Sequence, residues 1–195
     1  MKIEKALSKQ KRYKKISFIV MMFLFIVLPI LAYLANADRA FILIFLLILE
    51  ALIFIQLISN YNFYYLKFNI SNNKCKFKSG AFGNESLVLC DKVAIVHTKK
   101  KNENMEIVIV TDVRFKNRKL RPITKAFLRR YPQISHEYLK IKNNNPQKIY
   151  YFQIVRFGGV DKYILLDNIY KNCVSSVYTS AAIESIKIAR GQNEF

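Results

Sequence analysis

Only His97 and His136 offer side chains that titrate near neutral pH, and neither stands in a spacing that catalysis uses. His97 ends an apolar stretch ahead of Thr98-Lys99, and His136 follows Ser135 in a polar segment. The acidic residues are scattered, with no pair at metal or glycosidase spacing. Cys75, Cys90 and Cys173 are odd in number and far apart in sequence, with no CxxC pattern to suggest zinc. With the domain placed inside a cell they are expected to be free thiols, and Cys173 falls at helical spacing among apolar neighbours as a core residue would. No Walker loop, nucleophile elbow or HExxH occurs. Gly158-Gly159 reads as a strand-to-helix turn. The expectation is therefore a protein that is not an enzyme, with no cofactor and no metal.

The residue types that do form a pattern are cationic. Between Arg114 and Arg130 stand Arg114, Lys116, Arg118, Lys119, Arg121, Lys125, Arg129 and Arg130, with no acidic residue among them. Pro122 can open a short helix there, with Ile123, Ala126, Phe127 and Tyr131 on one face and Pro132 as its stop. A basic amphipathic helix of this kind suits an anionic membrane surface, where each Lys or Arg contributes ~1 kcal/mol. The alternative is a solvated helix whose apolar face packs on a sheet. Nucleic acid could use the same charges, but no nucleic-acid motif frames them. The whole chain carries a formal charge of +19. Residues 60–195 hold 24 Lys/Arg against ten Asp/Glu, or +14, and suit anionic partners. A coding bias toward Lys, Asn, Ile, Tyr and Phe is a second account of the same excess.

These residues must be positioned by the rest of the chain, which starts with two apolar runs, 16–35 and 39–59. Each is long enough to cross a bilayer, which takes ~20 residues, and the polar break between them is too short to hold a domain. Residues 1–15 form a basic tail with seven Lys/Arg against one Glu, while the break offers only Arg39. The positive-inside rule then puts the N-terminus and residues 60–195 in the cytoplasm, and the turn outside. A cleavable signal peptide ending at Ala35-Asn36-Ala37 is the rival, disfavoured by an apolar run longer than the usual h-region and by the second run behind it. Glu50 lies mid-way along the second run, where a charged carboxylate costs ~2.5–3.5 kcal/mol. Pro29 lacks the N–H that would bond the Phe25 carbonyl. A turn centred between Ala37 and Asp38 sets Glu50 level with Phe25, so a neutral Glu50 is expected to donate to that carbonyl. The rival roles for Glu50 are a contact with another copy of the hairpin, a protonated side chain tolerated in lipid, and a proton or ion path, the last disfavoured because two spans make a poor conduit.

Past Ser59 the period changes to two. Tyr64, Leu66, Phe68 and Ile70 alternate with polar positions, Ser71-Asn72-Asn73 turns the chain, and Cys75 and Phe77 alternate with Lys74, Lys76 and Lys78. Further strands are expected at 87–89, 93–98, 105–111 and 148–157, giving an antiparallel meander. A helix starting near Asp161 carries Tyr163, Leu166, Ile169/Tyr170, Cys173 and Val174/Val177 at helical spacing. Thr179 or Ser180 caps a last helix that Gly191 ends.

The order of hairpin, meander and C-terminal helix, with Tyr64-x-Leu66-x-Phe68-x-Ile70 followed by Lys76-Phe77-Lys78-x-Gly80, resembles the bacterial pleckstrin-homology-like (PH-like) membrane proteins. The long basic insert from Arg114 to Asn145 and a second closing helix depart from that pattern. The resemblance implies an α+β membrane protein: a two-helix transmembrane hairpin plus a cytoplasmic antiparallel-sheet, PH-like domain with C-terminal helices. It also implies a non-catalytic adaptor or scaffold, sometimes linked to envelope stress or peptide resistance. The expected location is a bacterial cell membrane, crossed twice. The expected partners are anionic lipid headgroups, a protein partner, or another copy through the hairpin. Alternative expectations are a subunit of an envelope transport, secretion or conjugation complex, and an immunity protein against a membrane-active peptide.

Overall fold

The computed structural model describes residues 3–34, 40–101, 104–115 and 117–194. The Ala35-Asn36-Ala37 cleavage pattern, Arg39 of the turn and Lys116 of the basic run lie outside the described residues. Two long helices come first, α1 (Ile3–Leu34) and α2 (Ala40–Tyr64). Both contain windows apolar and long enough to cross a membrane, and neither window is buried inside the protein. The basic stretch before the first apolar run is thus the first part of α1, continuous with that run. Its Ile3 and Ala6 are buried, and Ile3 joins the core of the C-terminal domain. Similarly, α2 continues to Tyr64, beyond the expected end of the second span.

The domain has two sheets. β1 (Leu66–Ser71), β2 (Lys74–Ser79) and β3 (Ser86–Leu89) form an antiparallel meander. Asn72 and Asn73, both at positive φ, make its first turn, a conformation asparagine tolerates well. The second sheet contains β4 (Val93–Lys101), β5 (Asn104–Thr111), β6 (Arg121–Pro122), β7 (Tyr151–Val155) and β8 (Val177–Tyr178), in the order β6-β7-β5-β4-β8. It is mixed, because β8 pairs parallel to β4, and so departs from a pure antiparallel meander.

Both faces of this second sheet are covered. On one face Ile95, Val108 and Val110 pack with Phe127, Tyr131 and Ile134 from α3 (Lys125–Arg130) and α4 (Pro132–Asn144). On the other, Val96, Ile107, Ile109 and Val155 meet the first sheet, α5 (Asp161–Asn172) and α6 (Ser180–Ala189). Burial on both sides explains why β5 reads as a nearly continuous apolar run, Ile107 to Val110.

Four local expectations are corrected. Arg121-Pro122 form the edge strand β6 instead of opening a helix, a position where proline's missing N–H is harmless. The helix α3 begins only after Thr124, whose Oγ1 accepts from Phe127 N–H. Pro132 does not stop the helical stretch but opens α4, as proline at a first helical position does. The stripe expected to run on through Val177 ends at Asn172, and Val177 lies in β8.

The hairpin docks where Gly158 and Gly159 turn the chain from β7 into α5. Gly158 N–H donates to Phe63 O at 2.8 Å, and Val160 N–H donates to Gln10 Oε1 at 2.6 Å. Gln10 Nε2 also donates to Asp161 Oδ2 at 3.3 Å, so one α1 side chain holds the first turn of α5. Gly158 and Gly159 have φ of 122° and 51°. A Cβ on Gly158 would lie 2.7 Å from Leu66, and one on Gly159 would strike Gln10 Oε1 and crowd Tyr64. Gly159→Ala is expected to destabilise the fold by ~2 kcal/mol, from left-handed strain plus loss of the Gln10 contact. Gln10→Ala should cost ~1 kcal/mol. Denaturation of the full chain in mild detergent measures both, and a neutral Gly159→Ala would show that α1 is not clamped there.

Candidate anionic-ligand interface

The short β6 covers β7 only at Tyr151 and Phe152, leaving the edge of β7 open beyond them. A cleft of about 340 Å³ occupies this gap, with Ser79 of β2 across from Gln153 and Arg156. Arg118 and Lys119 from the loop leading into β6, and Arg121 at its first residue, complete a cationic lining. Ser79 Oγ closes one end by donating to Phe157 O at 3.1 Å and accepting from Phe157 N–H at 3.2 Å. Among the described residues no carboxylate pairs with Arg118, Lys119 or Arg121. Arg156 alone has one, Glu106, with Nε 3.4 Å from Oε1. Burial, and then repulsion from Lys78, lower the Lys119 pKa from its ordinary value. Cations crowded without acidic partners are the arrangement an anion relieves.

The loop carrying these cations is fixed from below. Asn117 is buried; its Oδ1 accepts from Lys119 N–H at 3.0 Å, and its Nδ2 donates to Gln153 Oε1 at 2.8 Å and to Leu87 O at 3.2 Å. Gln153 Nε2 then donates to Ser86 Oγ at 2.7 Å. This buried relay joins the two sheets and sets the loop direction. Arg156 is held at its backbone by the fully buried Lys162, whose Nζ donates to Arg156 O at 2.7 Å and to Asn104 Oδ1. Burial pulls Lys162 down to about 8 against the opposing pull of Glu106.

The cleft is at the end of the domain where α2 enters. Gly80 N–H donates to Tyr65 O at 2.9 Å, and Ser79 pairs with Leu66, the first residue of β1. Lys67 and Lys78 each lie 5.6 Å from the Tyr65 ring centroid, and Lys14 of α1 lies 5.6 Å from that of Tyr61. At the tip of the adjoining loop, Phe82 is 73% exposed.

The basic run of the sequence is therefore divided. Arg118, Lys119 and Arg121 enter the cleft, whereas Arg114 is exposed in the loop after β5 and Lys125 is exposed at the first residue of α3. Arg129 and Arg130 end α3; the Arg130 guanidinium lies 5.7 Å from the Tyr131 ring, and its carbonyl accepts from Lys99 Nζ. The apolar face expected to touch a membrane packs inward instead. Phe127 and Tyr131 are buried, and Phe127 stacks on Phe152 at 3.8 Å between centroids. Lys78, Ser79 and Arg156 were not read as part of a site. Their only signal is positional, at strand ends that the pairing register brings together.

Within the hairpin, Asn60 Nδ2 donates to Ser17 Oγ at 2.8 Å. Antiparallel continuation of that pairing sets Glu50 level with about Val27 rather than Phe25. The expected bond from Glu50 to the Phe25 carbonyl is absent, and among the described residues no hydrogen bond or ion pair involves Glu50. Pro29 remains inside α1, as its position in the sequence requires.

The other chemically capable groups lie apart from the cleft. Cys90 and Cys173, 83 residues apart, meet in the core with their sulfurs 2.6 Å apart, Cys173 donating. Cys75, also buried, is pushed up to about 12, chiefly by burial. The exposed His136 contacts Glu137, 3.0 Å away. Among the described residues no group of three His, Cys, Asp or Glu gathers to hold a metal. No protein-family model, curated protein or solved structure matches the chain.

His97 is buried with Nδ1 2.9 Å from Thr179 Oγ1. Burial, then Lys99, lower its pKa to about 4. Unfolded, it titrates near 6.5, so as pH falls from ~6.5 to ~4 the unfolded chain takes a proton the fold refuses. Stability is thus expected to fall by ~2 kcal/mol from pH 7 to pH 5 on this account. Denaturant titrations at the two pH values should show a smaller fall in His97→Gln; an unchanged fall would remove His97 as its source.

Proposed function

We propose that this protein is a membrane-anchored, non-catalytic adaptor whose basic domain rests against anionic lipid headgroups. In this reading α1 and α2 span a bacterial cell membrane, with the N-terminus and the domain in the cytoplasm and the resemblance to PH-like membrane proteins extending to an adaptor role. The observation that carries it is the cationic cleft at the same end of the domain as the hairpin, where among the described residues only Arg156 has an acidic partner. Supporting features are the exposed Phe82 beside it and the Tyr61, Phe63, Tyr64 and Tyr65 rings among lysines, since aromatic residues gather at membrane–water interfaces. Clamping of α1 and α2 to the domain replaces a free tether with a fixed approach, so contacts of ~1 kcal/mol each suffice to orient it. The remaining domain surface, including the far turn at Asn72-Asn73, is left for a protein partner.

The test uses the full chain, because Ile3 contributes to the domain core and a 60–195 fragment lacks it. In lipid nanodiscs, amide exchange in 78–83 and 118–121 is expected to slow at least threefold when a third of a zwitterionic bilayer is replaced by anionic lipid. Exchange around Asn72 should not change. Equal exchange in both bilayers would reject the headgroup contact.

Glu50 favours a second reading, in which the hairpin joins another membrane-embedded chain in an envelope complex. A partly exposed carboxyl without a partner among the described residues is costly in lipid and is relieved by a polar group on a neighbour. Native mass spectrometry in mild detergent is expected to show an oligomer that Glu50→Leu dissociates; a monomer before substitution counts against it.

A further inference from the structure

We infer that the Arg118–Lys119–Arg121–Arg156 cleft is a built site for one phosphate ester of a small alcohol. This deepens the adaptor reading and rests on it for where such an ester would be met. Three observations point to phosphate chemistry. First, four cations line the cleft, and among the described residues only Arg156 has an acidic partner. A phosphate monoester with about −1.5 to −2 charge and several acceptor oxygens matches that set better than one carboxylate does. Arginine forks bind such oxygens in bidentate fashion.

Second, the site is held before any ligand arrives. Asn117 fixes the Lys119 backbone through the buried relay to Gln153 and Ser86, and Lys162 fixes the Arg156 carbonyl. A surface that merely carried excess charge would not need its loop tied to two sheets by buried amides. Gly83 answers to the turn itself, since a Cβ there would lie 2.5 Å from the Ser79 carbonyl.

Third, the cleft has room for such a group: about 340 Å³ is at the small end of ligand sites and accommodates a phosphate with a glycerol-sized group. The ester can arrive as a lipid headgroup or free in solution, and the cleft chemistry is the same for both.

The experiment uses the full chain in phosphatidylcholine nanodiscs. In one arm sn-glycerol 3-phosphate is titrated by calorimetry. In the other, nanodiscs contain phosphatidic acid, and native mass spectrometry counts the lipids retained. The expected result is one saturable site in at least one arm, weakened at least tenfold by Arg118→Gln with Lys119→Gln. Asn117→Ala should weaken it at least threefold while circular dichroism is unchanged. The control pair Arg114→Gln with Lys125→Gln removes the same charge outside the cleft and should change affinity less than twofold. Binding in the lipid arm alone identifies a headgroup, and binding in solution a free ester. No saturable site in either arm overturns the proposal, as does equal weakening by the control pair. Either of those results leaves slowed exchange on anionic bilayers intact. Conversely, glycerol phosphate binding without such slowing would sink the membrane reading and keep the site.

Discussion

The junction at Gly158-Gly159 is the constraint on which the rest of the arrangement depends. There the chain leaves β7, enters α5 and accepts contacts from both long helices within three residues. Two positive-φ residues with no room for a Cβ allow α1 and α2 to approach the backbone directly. Gln10 then serves a helix start that has no side-chain cap of its own. Because α2 passes into β1 through Tyr65 alone, with Gly80 bonded to that residue, the hairpin and both sheets share one anchor. The orientation of the domain follows from this docking rather than from a linker.

That anchor decides which charges matter. Cations are spread over the chain, but most lie free in solvent, where each contributes little. In the cleft, burial and repulsion from Lys78 disfavour the Lys119 charge, and a buried polar relay holds its loop in place. The proposed membrane adhesion and the proposed recognition of one phosphate group are then different scales of the same electrostatics. Adhesion needs only charge near a surface, whereas recognition needs Asn117 and Lys162 to hold the loop and strand end still. The buried histidine and thiols belong to neither, since they lie in the packed layers around β4 and α5.

Much of this was legible in the sequence, for physical reasons that also mark where it stopped. The apolar runs, the β1–β2 alternation and turn, and the Thr179 cap each express a local rule, and each appears as an element. Pro132 misled because proline both ends and begins helices, and the Ile134, Tyr138 and Ile141 spacing behind it identifies the second case. Of the amphipathic pattern at 122–131 only Lys125–Arg130 is helical, and its Phe127 stacks on Phe152, since periodicity does not reveal which surface a face meets. The cleft was half legible. Arg118, Lys119 and Arg121 stand in one run, while Ser79 and Arg156 join them only through strand register and the gap beside β6. The Cys90–Cys173 contact likewise depends on a loop closure that spacing does not encode.

The central claim is that the cleft end of the domain is held at the membrane surface, and a depth measurement tests it most directly. Spin labels placed at Phe82→Cys and Asn72→Cys report the two ends of the first sheet, since the native cysteines are buried. In anionic nanodiscs, the label at 82 is expected at headgroup depth, with raised oxygen and lowered aqueous nickel accessibility, while the label at 72 remains in water. Equal aqueous exposure of both labels, or a deeper label at 72, would contradict the account.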